Sequence, residues 1–387
     1  MSEIRAFFVM EILARARELE RQGRSIVHME IGEPDFPTPP LVSAAALDFI
    51  GRGEVKYTPA GGLPELREAI SRHYLDRYAV KVESDRIFIT PGASGALQLA
   101  LGILPTRGTV VAVADPGYPC HANLIRLFSG VPQLIPVTEA TDFGLSPDLL
   151  NVRNTKDIGG LIVASPGNPT GSIMQAEALR QLARFAADKR MFLIADEIYH
   201  GLEYGKPSPS ILGFSDRAFV VNSFSKYFGM TGWRLGWLIV PREYIGMAER
   251  LAQNMFISAP THSQYAALAS FHTQNLLELE RRRRIFKDRR DSVSDALRRL
   301  GFSIRAKAEG AFYIYADCSA LTEDSMEFSR ELLEHAGVAV TPGVDFGENL
   351  PERHIRFSYT TETESLREGT RRIAEFLGEA NQPYRHA

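Results

Sequence analysis

Nothing in this chain stands in large excess. Its 387 residues include two cysteines, two tryptophans, and 44 Lys and Arg against 47 Asp and Glu, for a formal charge of −3. Cys120 and Cys318 lie far apart with no CxxC spacing and no histidine ligand pattern. That excludes a disulfide framework and a zinc knuckle, and it fits a reducing cytoplasm. The missing charge excess argues against nucleic acid or an anionic membrane surface as the main partner, while leaving room for a local cationic pocket. No run reaches the ~18–20 apolar residues of a membrane span; the longest candidates are short, such as Leu97 to Leu104. The apolar patch from Ala6 to Met10 is interrupted by Glu11 and followed by Arg15, Arg17 and Arg21, which makes an amphipathic helix and not a signal peptide. GxGxxG, HExxH and GxSxG are missing, no carboxylate cluster suits a metal, and Gly201 to Lys206 falls one residue short of a Walker loop before running into Pro207.

What is present is a globular composition, 44% hydrophobic and 24% charged, long enough for roughly two to three domains or one large domain with a satellite. Short apolar runs at Arg86–Thr90, Thr109–Ala114, Gly160–Ala164, Met191–Ala195, Ala218–Asn222 and Leu235–Val240 alternate with helical patterns. Their near-continuous Val, Ile, Leu and Phe content predicts strands covered on both faces, hence an α/β fold with a mostly parallel sheet. Polar and turn-forming residues follow the first five runs, at the carboxyl ends where open α/β sheets bind ligands. After about Glu280 a long charged helix ends near Leu300, followed by strand character over Ile304–Ala316, a helix around Met326–Ala336, a strand at His354–Tyr359 and a closing helix. This is a smaller α/β unit, against which the N-terminal helix and Val27–Ile31 are expected to pack. Arg281–Arg284 are flanked by Glu278, Glu280, Asp288 and Asp291, which favours a solvated, salt-bridged helix face over a nucleic-acid patch.

Five strand ends carry the chemistry. Ser223-Phe224-Ser225-Lys226 with Arg234 nearby combines a lysine, hydroxyls and a guanidinium. Burial and neighbouring cations turn lysine into a nucleophile or Schiff-base partner, and hydroxyls with an arginine suit a phosphate; together they point to pyridoxal phosphate. Alone, Lys226 would be an exposed loop lysine. Asp196, opening Asp196-Glu197-Ile198-Tyr199, suits a protonated pyridine nitrogen, with Tyr199 about one turn on; an isolated Asp there is more often a helix cap. Ser165-Pro166-Gly167-Asn168-Pro169-Thr170-Gly171 is a rigid turn presenting an amide that can donate to a phenolate oxygen. Pro91 to Ala96 joins a strand to a helix whose first amides form an anion site, and Tyr118 offers a flat face to a planar group, although a plain connector and a core aromatic are the ordinary meanings.

In this order, with Gly32-Glu33-Pro34-Asp35 and Arg356 added, the motifs resemble those of the class I aminotransferases, fold-type I pyridoxal-phosphate enzymes, over almost the whole chain. The resemblance is strongest to bacterial and archaeal aspartate, alanine and aromatic aminotransferases. It implies a large cofactor domain at 45–280 and a small domain built from 1–44 and 281–387. It makes Lys226 the cofactor-bound lysine, Asp196 the pyridine-nitrogen partner, and Asn168 and Tyr199 the donors to the ring oxygen. Tyr118 would stack on the ring. Ala93, Ser94, Ser223, Ser225 and Arg234 would hold the phosphate, joined by Tyr57 from a second subunit of a homodimer, and Gly32, Asn168 and Arg356 would bind the substrate carboxylate. The implied activity is ping-pong exchange of an amino group between an L-amino acid and a 2-oxo acid such as 2-oxoglutarate or pyruvate. Ser94 stands where some relatives carry a lysine, which disfavours aspartate as donor. A carbon–sulfur β-lyase or related synthase would share the cofactor residues. A non-catalytic sensor would need a DNA-binding segment for which this sequence offers no room.

Overall fold

The computed structural model describes residues 4, 6–105, 107–152 and 158–380. Its strands in chain order are β1 (Val27–His28), β2 (Ile87–Thr90), β3 (Val110–Asp115), β4 (Val131–Pro136), β5 (Ile158–Ala164), β6 (Phe192–Asp196), β7 (Phe219–Ser223), β8 (Gly236–Ile239), β9 (Tyr313–Asp317), β10 (Val338–Ala339), β11 (Thr341–Pro342) and β12 (His354–Ser358).

Seven of them form one sheet in the order β2-β8-β7-β6-β5-β3-β4. Every neighbouring pair is parallel except those made by β8, which runs antiparallel to β2 and β7. The expected α/β architecture is therefore present. The inner strands are buried on both faces, with Leu161, Ile194, Val220, Val221 and Leu238 at or near zero exposure. Helices cover both sides, and several open with proline at the first helical position (Pro40, Pro64 and Pro119), where a missing N–H costs nothing. The strand β4 was not anticipated. It carries Pro132 and Pro136 and is half exposed, and prolines are tolerated there because it is an edge strand.

Strand order fixes where the chemistry gathers. In a parallel sheet the carboxyl ends of β2, β3, β5, β6 and β7 open on one side, so Gly92–Ser94, Tyr118, Asn168, Asp196 and Lys226 share that side. Because β8 runs the other way, its amino end meets them, which brings Arg234 to the same edge.

Two smaller sheets stand beside this one: β1 pairs with β10 in parallel, and β11-β12-β9 form an antiparallel set. Ser358 N donates to Met29 O at 2.7 Å, and the Thr341 and Thr360 hydroxyls donate to Glu30 O and Ile31 O, so the segment after β1 lies along β12. The N-terminal helix, Phe8–Arg21, packs on this unit, with Arg15 paired to Glu334. Of the expected strand over Ile304–Ala316, only Tyr313–Asp317 pairs continuously; upstream there are two isolated bridges, Gly310 to Glu203 and Ser303 to Asp317. The helix Thr273–Arg299 carries the arginine run. Arg281 pairs with Glu278 and Arg283 with Glu280, but Arg282 departs from the solvated face expected of it: it is 6% exposed, with its guanidinium over the Phe36 ring and bonded to Glu278 and to Pro37 O. Among the described residues, no helix is long and apolar enough to cross a membrane.

Candidate active site

A cleft of about 840 Å³ opens at the carboxyl edge of the large sheet, between it and the smaller sheets. Of the residues singled out in the sequence, Gly32, Ala93, Ser94, Tyr118, Asn168, Asp196, Tyr199, Lys226 and Arg356 line it. Ser223, Ser225 and Arg234 do not line it; Ser223 and Arg234 adjoin the start of the helix Gly92–Ile103, and the Ser225 hydroxyl lies 2.9 Å from that of Ser223. Ser223 pairs with Gly236, and a Cβ on Gly236 would lie 2.9 Å from Ala93 N. Tyr57 is 80% exposed and is not brought to the cleft of its own chain.

Lys226 follows β7 directly, and its Nζ donates to Gly32 O at 2.7 Å. Burial lowers its pKa to about 8, with Glu33 opposing the shift and Arg356 and Arg234 adding to it. The ammonium is thereby placed near the point at which it becomes a nucleophile.

Asp196 ends β6 and is 4% exposed. One oxygen pairs with His121 Nε2 at 2.9 Å, and the other accepts from Ile198 N. His121 was missed in the sequence, yet it sits in the same helical turn as Tyr118, three residues on, and their rings meet edge to face. That spacing was the available signal.

Arg356 on β12 is 5% exposed. Its Nη1 donates to Asn168 Oδ1 at 3.0 Å, and its Nη2 to Glu30 O and to Thr341 Oγ1. Its guanidinium lies between the Tyr313 and Phe346 rings, 4.3 and 4.8 Å from their centroids. Among the described residues its Nε has no hydrogen-bond partner, and the acceptors of its other bonds are the neutral oxygens of Asn168, Glu30 and Thr341. A buried guanidinium held only by neutral acceptors and aromatic faces is a receptor for an outside anion. Since Asn168 spends its oxygen on Arg356, its amide N–H groups are left to face the cleft.

The helix Gly92–Ile103 starts after Pro91 with no side-chain cap, so its first amides are open to an anion. Gly92 has φ +72°, and a Cβ there would lie 2.6 Å from Arg234 Nη2, so the guanidinium rests directly on the helix end.

A third tyrosine, Tyr313 on β9, also lines the cleft, its hydroxyl 3.0 Å from that of Tyr199. No local motif marks it in the sequence.

The family model for aminotransferase class I and II matches residues 24–373. A valine–pyruvate aminotransferase of Mycobacterium tuberculosis is 38% identical over 96% of both chains. A crystal structure of an aminotransferase from the same organism superposes with a TM-score of 0.94 at 37% identity, covering 98% of both chains. Aspartate aminotransferase from Thermus thermophilus, solved with maleate, gives a TM-score of 0.90 at 32% identity, covering 97% of both. The fold is fold-type I, and the chain belongs to the class I and II aminotransferases, enzymes that move an amino group from an amino acid to a 2-oxo acid.

Proposed function

We propose that this cleft binds pyridoxal 5'-phosphate and exchanges amino groups between L-amino acids with uncharged side chains and 2-oxo acids of the pyruvate or 2-oxoglutarate type. The observation that carries the cofactor assignment is the donor set: an uncapped helix start with Arg234 resting on it, next to a buried lysine of lowered pKa and a buried aspartate held by a histidine. The anion cradle suits a phosphate, and the aspartate suits a protonated pyridine.

When bound, the cofactor supplies an aldehyde that takes the amino group and an electron-poor ring that stores the electron pair left on the substrate's α-carbon. The chain's own residues do the rest. Ala93 and Ser94 amides, with Ser223, Ser225 and Arg234, hold the phosphate. Asp196 would face the pyridine nitrogen, Tyr118 would cover the ring, and Asn168 and Tyr199 would donate to the ring oxygen. Lys226 would hold the cofactor through its amine and, when that amine is free, would take the proton from the substrate's α-carbon as general base and deliver it as general acid to the cofactor carbon that bore the aldehyde. Arg356, assisted by Asn168 and Gly32, grips the α-carboxylate, so every substrate presents its α-carbon to Lys226 in one orientation.

The donor class rests on the cleft lining. Among the described lining residues the cations are Lys226 and Arg356, while Val9, Ile31 and Leu97 are apolar and Ser94 is neutral. A distal carboxylate finds no partner there. The valine–pyruvate activity named for the Mycobacterium tuberculosis relative agrees with this.

The proposal includes a homodimer in the cytoplasm. Leu47, Ile50, Val55, Tyr57 and Ile257, all exposed, give the chain apolar surface for a second copy, and Tyr57 would reach the partner's phosphate cradle. It includes, too, a large unit at 45–280 and a small one from 1–44 and 281–387, whose approach excludes water.

A panel of amino donors tested with pyruvate and 2-oxoglutarate checks this reading. Valine, leucine or alanine should exceed aspartate in kcat/KM, and Arg356→Ala should raise KM for all of them. Ammonia release from cystathionine without amino transfer would favour a lyase instead.

A further inference from the structure

We propose that Tyr313 is a positioning residue for amino transfer, tying the arginine that binds the substrate carboxylate to the tyrosine that faces the cofactor's ring oxygen; the proposal rests on the pyridoxal-phosphate reading of this cleft. Two contacts meet on this one side chain. Its ring lies 4.3 Å beneath the Arg356 guanidinium, and its hydroxyl is 3.0 Å from the Tyr199 hydroxyl.

The placement follows from strand register. In the antiparallel pair, Tyr313 stands opposite Ser358 and Tyr315 opposite Arg356. Side chains alternate along a strand, so Tyr313, Tyr315 and Arg356 share one face, with Tyr313 diagonal to the arginine. Gly32 completes the fit: a Cβ there would lie 1.7 Å from the Tyr313 hydroxyl, so only glycine admits it. At 2% exposure, Tyr313 has little water to bond instead.

The physics of the link is polarisation. A cation over a phenol ring draws electron density from it and makes the O–H a better donor. Either hydroxyl of the pair can donate; in the proposed chain Tyr313 is the donor to the Tyr199 oxygen, and hydrogen bonds in series strengthen one another, so Tyr199 donates more strongly towards the cofactor. A substrate carboxylate that neutralises Arg356 relaxes this chain. Carboxylate binding is thus communicated to the cofactor through one side chain. Among the described residues the charged and titratable groups around Tyr313 include Arg356, Tyr199 and Tyr118, with Lys226 lining the same cleft and bonded to Gly32 O.

The test compares holoenzymes of wild type, Tyr313→Phe, Tyr199→Phe and the double variant, with Tyr313→Leu as a further probe. The pH midpoint of the visible absorption band is read alongside kcat and KM. Tyr313→Phe keeps the ring beneath Arg356 and removes the hydroxyl. It should move the midpoint upward and lower kcat roughly three- to tenfold, the size of one hydrogen bond, with KM unchanged. Made in the Tyr199→Phe background, it should change neither quantity further. Tyr313→Leu, which removes the ring, should also raise KM. A Tyr313→Phe enzyme with wild-type midpoint and kcat, or effects that multiply in the double variant, would overturn the proposal. Loss of folding stability with an unmoved midpoint would do the same, since that is what a purely structural hydroxyl produces. A wild-type protein that takes up no cofactor and shows no visible band would instead refute the reading of the cleft.

Discussion

Lys226 offers a prediction whose size follows from its surroundings. Its pKa of about 8 stands well below the usual 10.5, chiefly because the ammonium is buried. At pH 7.5 about 24% of the lysine is then neutral, against about 0.1% for an ordinary lysine, a gain of about two hundredfold in the reactive form. The same shift is a cost to folding. The unfolded chain binds more protons than the folded one between about pH 8 and 10.5, so stability rises with pH through that window and the full penalty applies below it. The penalty is about 3 kcal/mol. Lys226→Met, close in volume, removes it while losing the bond to Gly32 O, worth about 1 kcal/mol. In the cofactor-free protein, urea denaturation should show Lys226→Met more stable than wild type by about 2 kcal/mol at pH 7. The gap should close at about pH 10 and reverse slightly above it, where only the lost bond remains. Competitive acylation of the cofactor-free enzyme, read by mass spectrometry on the Lys226 peptide, should titrate with a midpoint near 8. A midpoint above 10, or a variant less stable than wild type at pH 7, would refute the reasoning.

Two further perturbations have definite signs. His28 bridges Glu20 of the N-terminal helix and buried Glu30, which raises its pKa to about 9, mainly through the bond to Glu30. Because the folded value is raised, the stabilisation is complete below pH 6.5 and lost as pH rises through about 9. His28→Gln should cost about 1–2 kcal/mol at pH 6, measured by denaturant melts, and nearly nothing at pH 10. Gly32→Ala should drive the Tyr313 hydroxyl away from Tyr199 and move the absorption band in the same direction as Tyr313→Phe; an unchanged band would show that the close approach relaxes without consequence.

The sequence disclosed the large sheet well because strands buried on both faces have nowhere to put polar residues, as Gly160–Ala164 and Ala218–Asn222 show. It disclosed β4 poorly: an edge strand needs less apolar surface and admits prolines, which locally resemble a turn. The expected strand before Tyr313 failed for the opposite reason, since Phe302, Ala306 and Ala308 are buried without being paired into a sheet. Within the cleft, motifs at strand ends were legible because each turn joins a chemical group to a recognisable backbone. Arg356 alone would have passed for an ordinary strand arginine; only the full set of motifs singled it out. Tyr313 carried no such mark. Its role depends on register with a strand some forty residues later, and register between distant strands is set by packing, not by local pattern.

The pairing of Val27–His28 with Val338–Ala339 has a consequence during synthesis. A ribosome completes the seven-stranded sheet, Lys226 and the anion cradle long before it adds Arg356. A chain that stops in between lacks the arginine that binds the substrate carboxylate and the Phe312 ring that helps bury Lys226, and its first strand waits with an unpaired edge open to wrong partners. Selectivity is the last property this protein acquires, and the interval before it is when the nascent chain most needs protection.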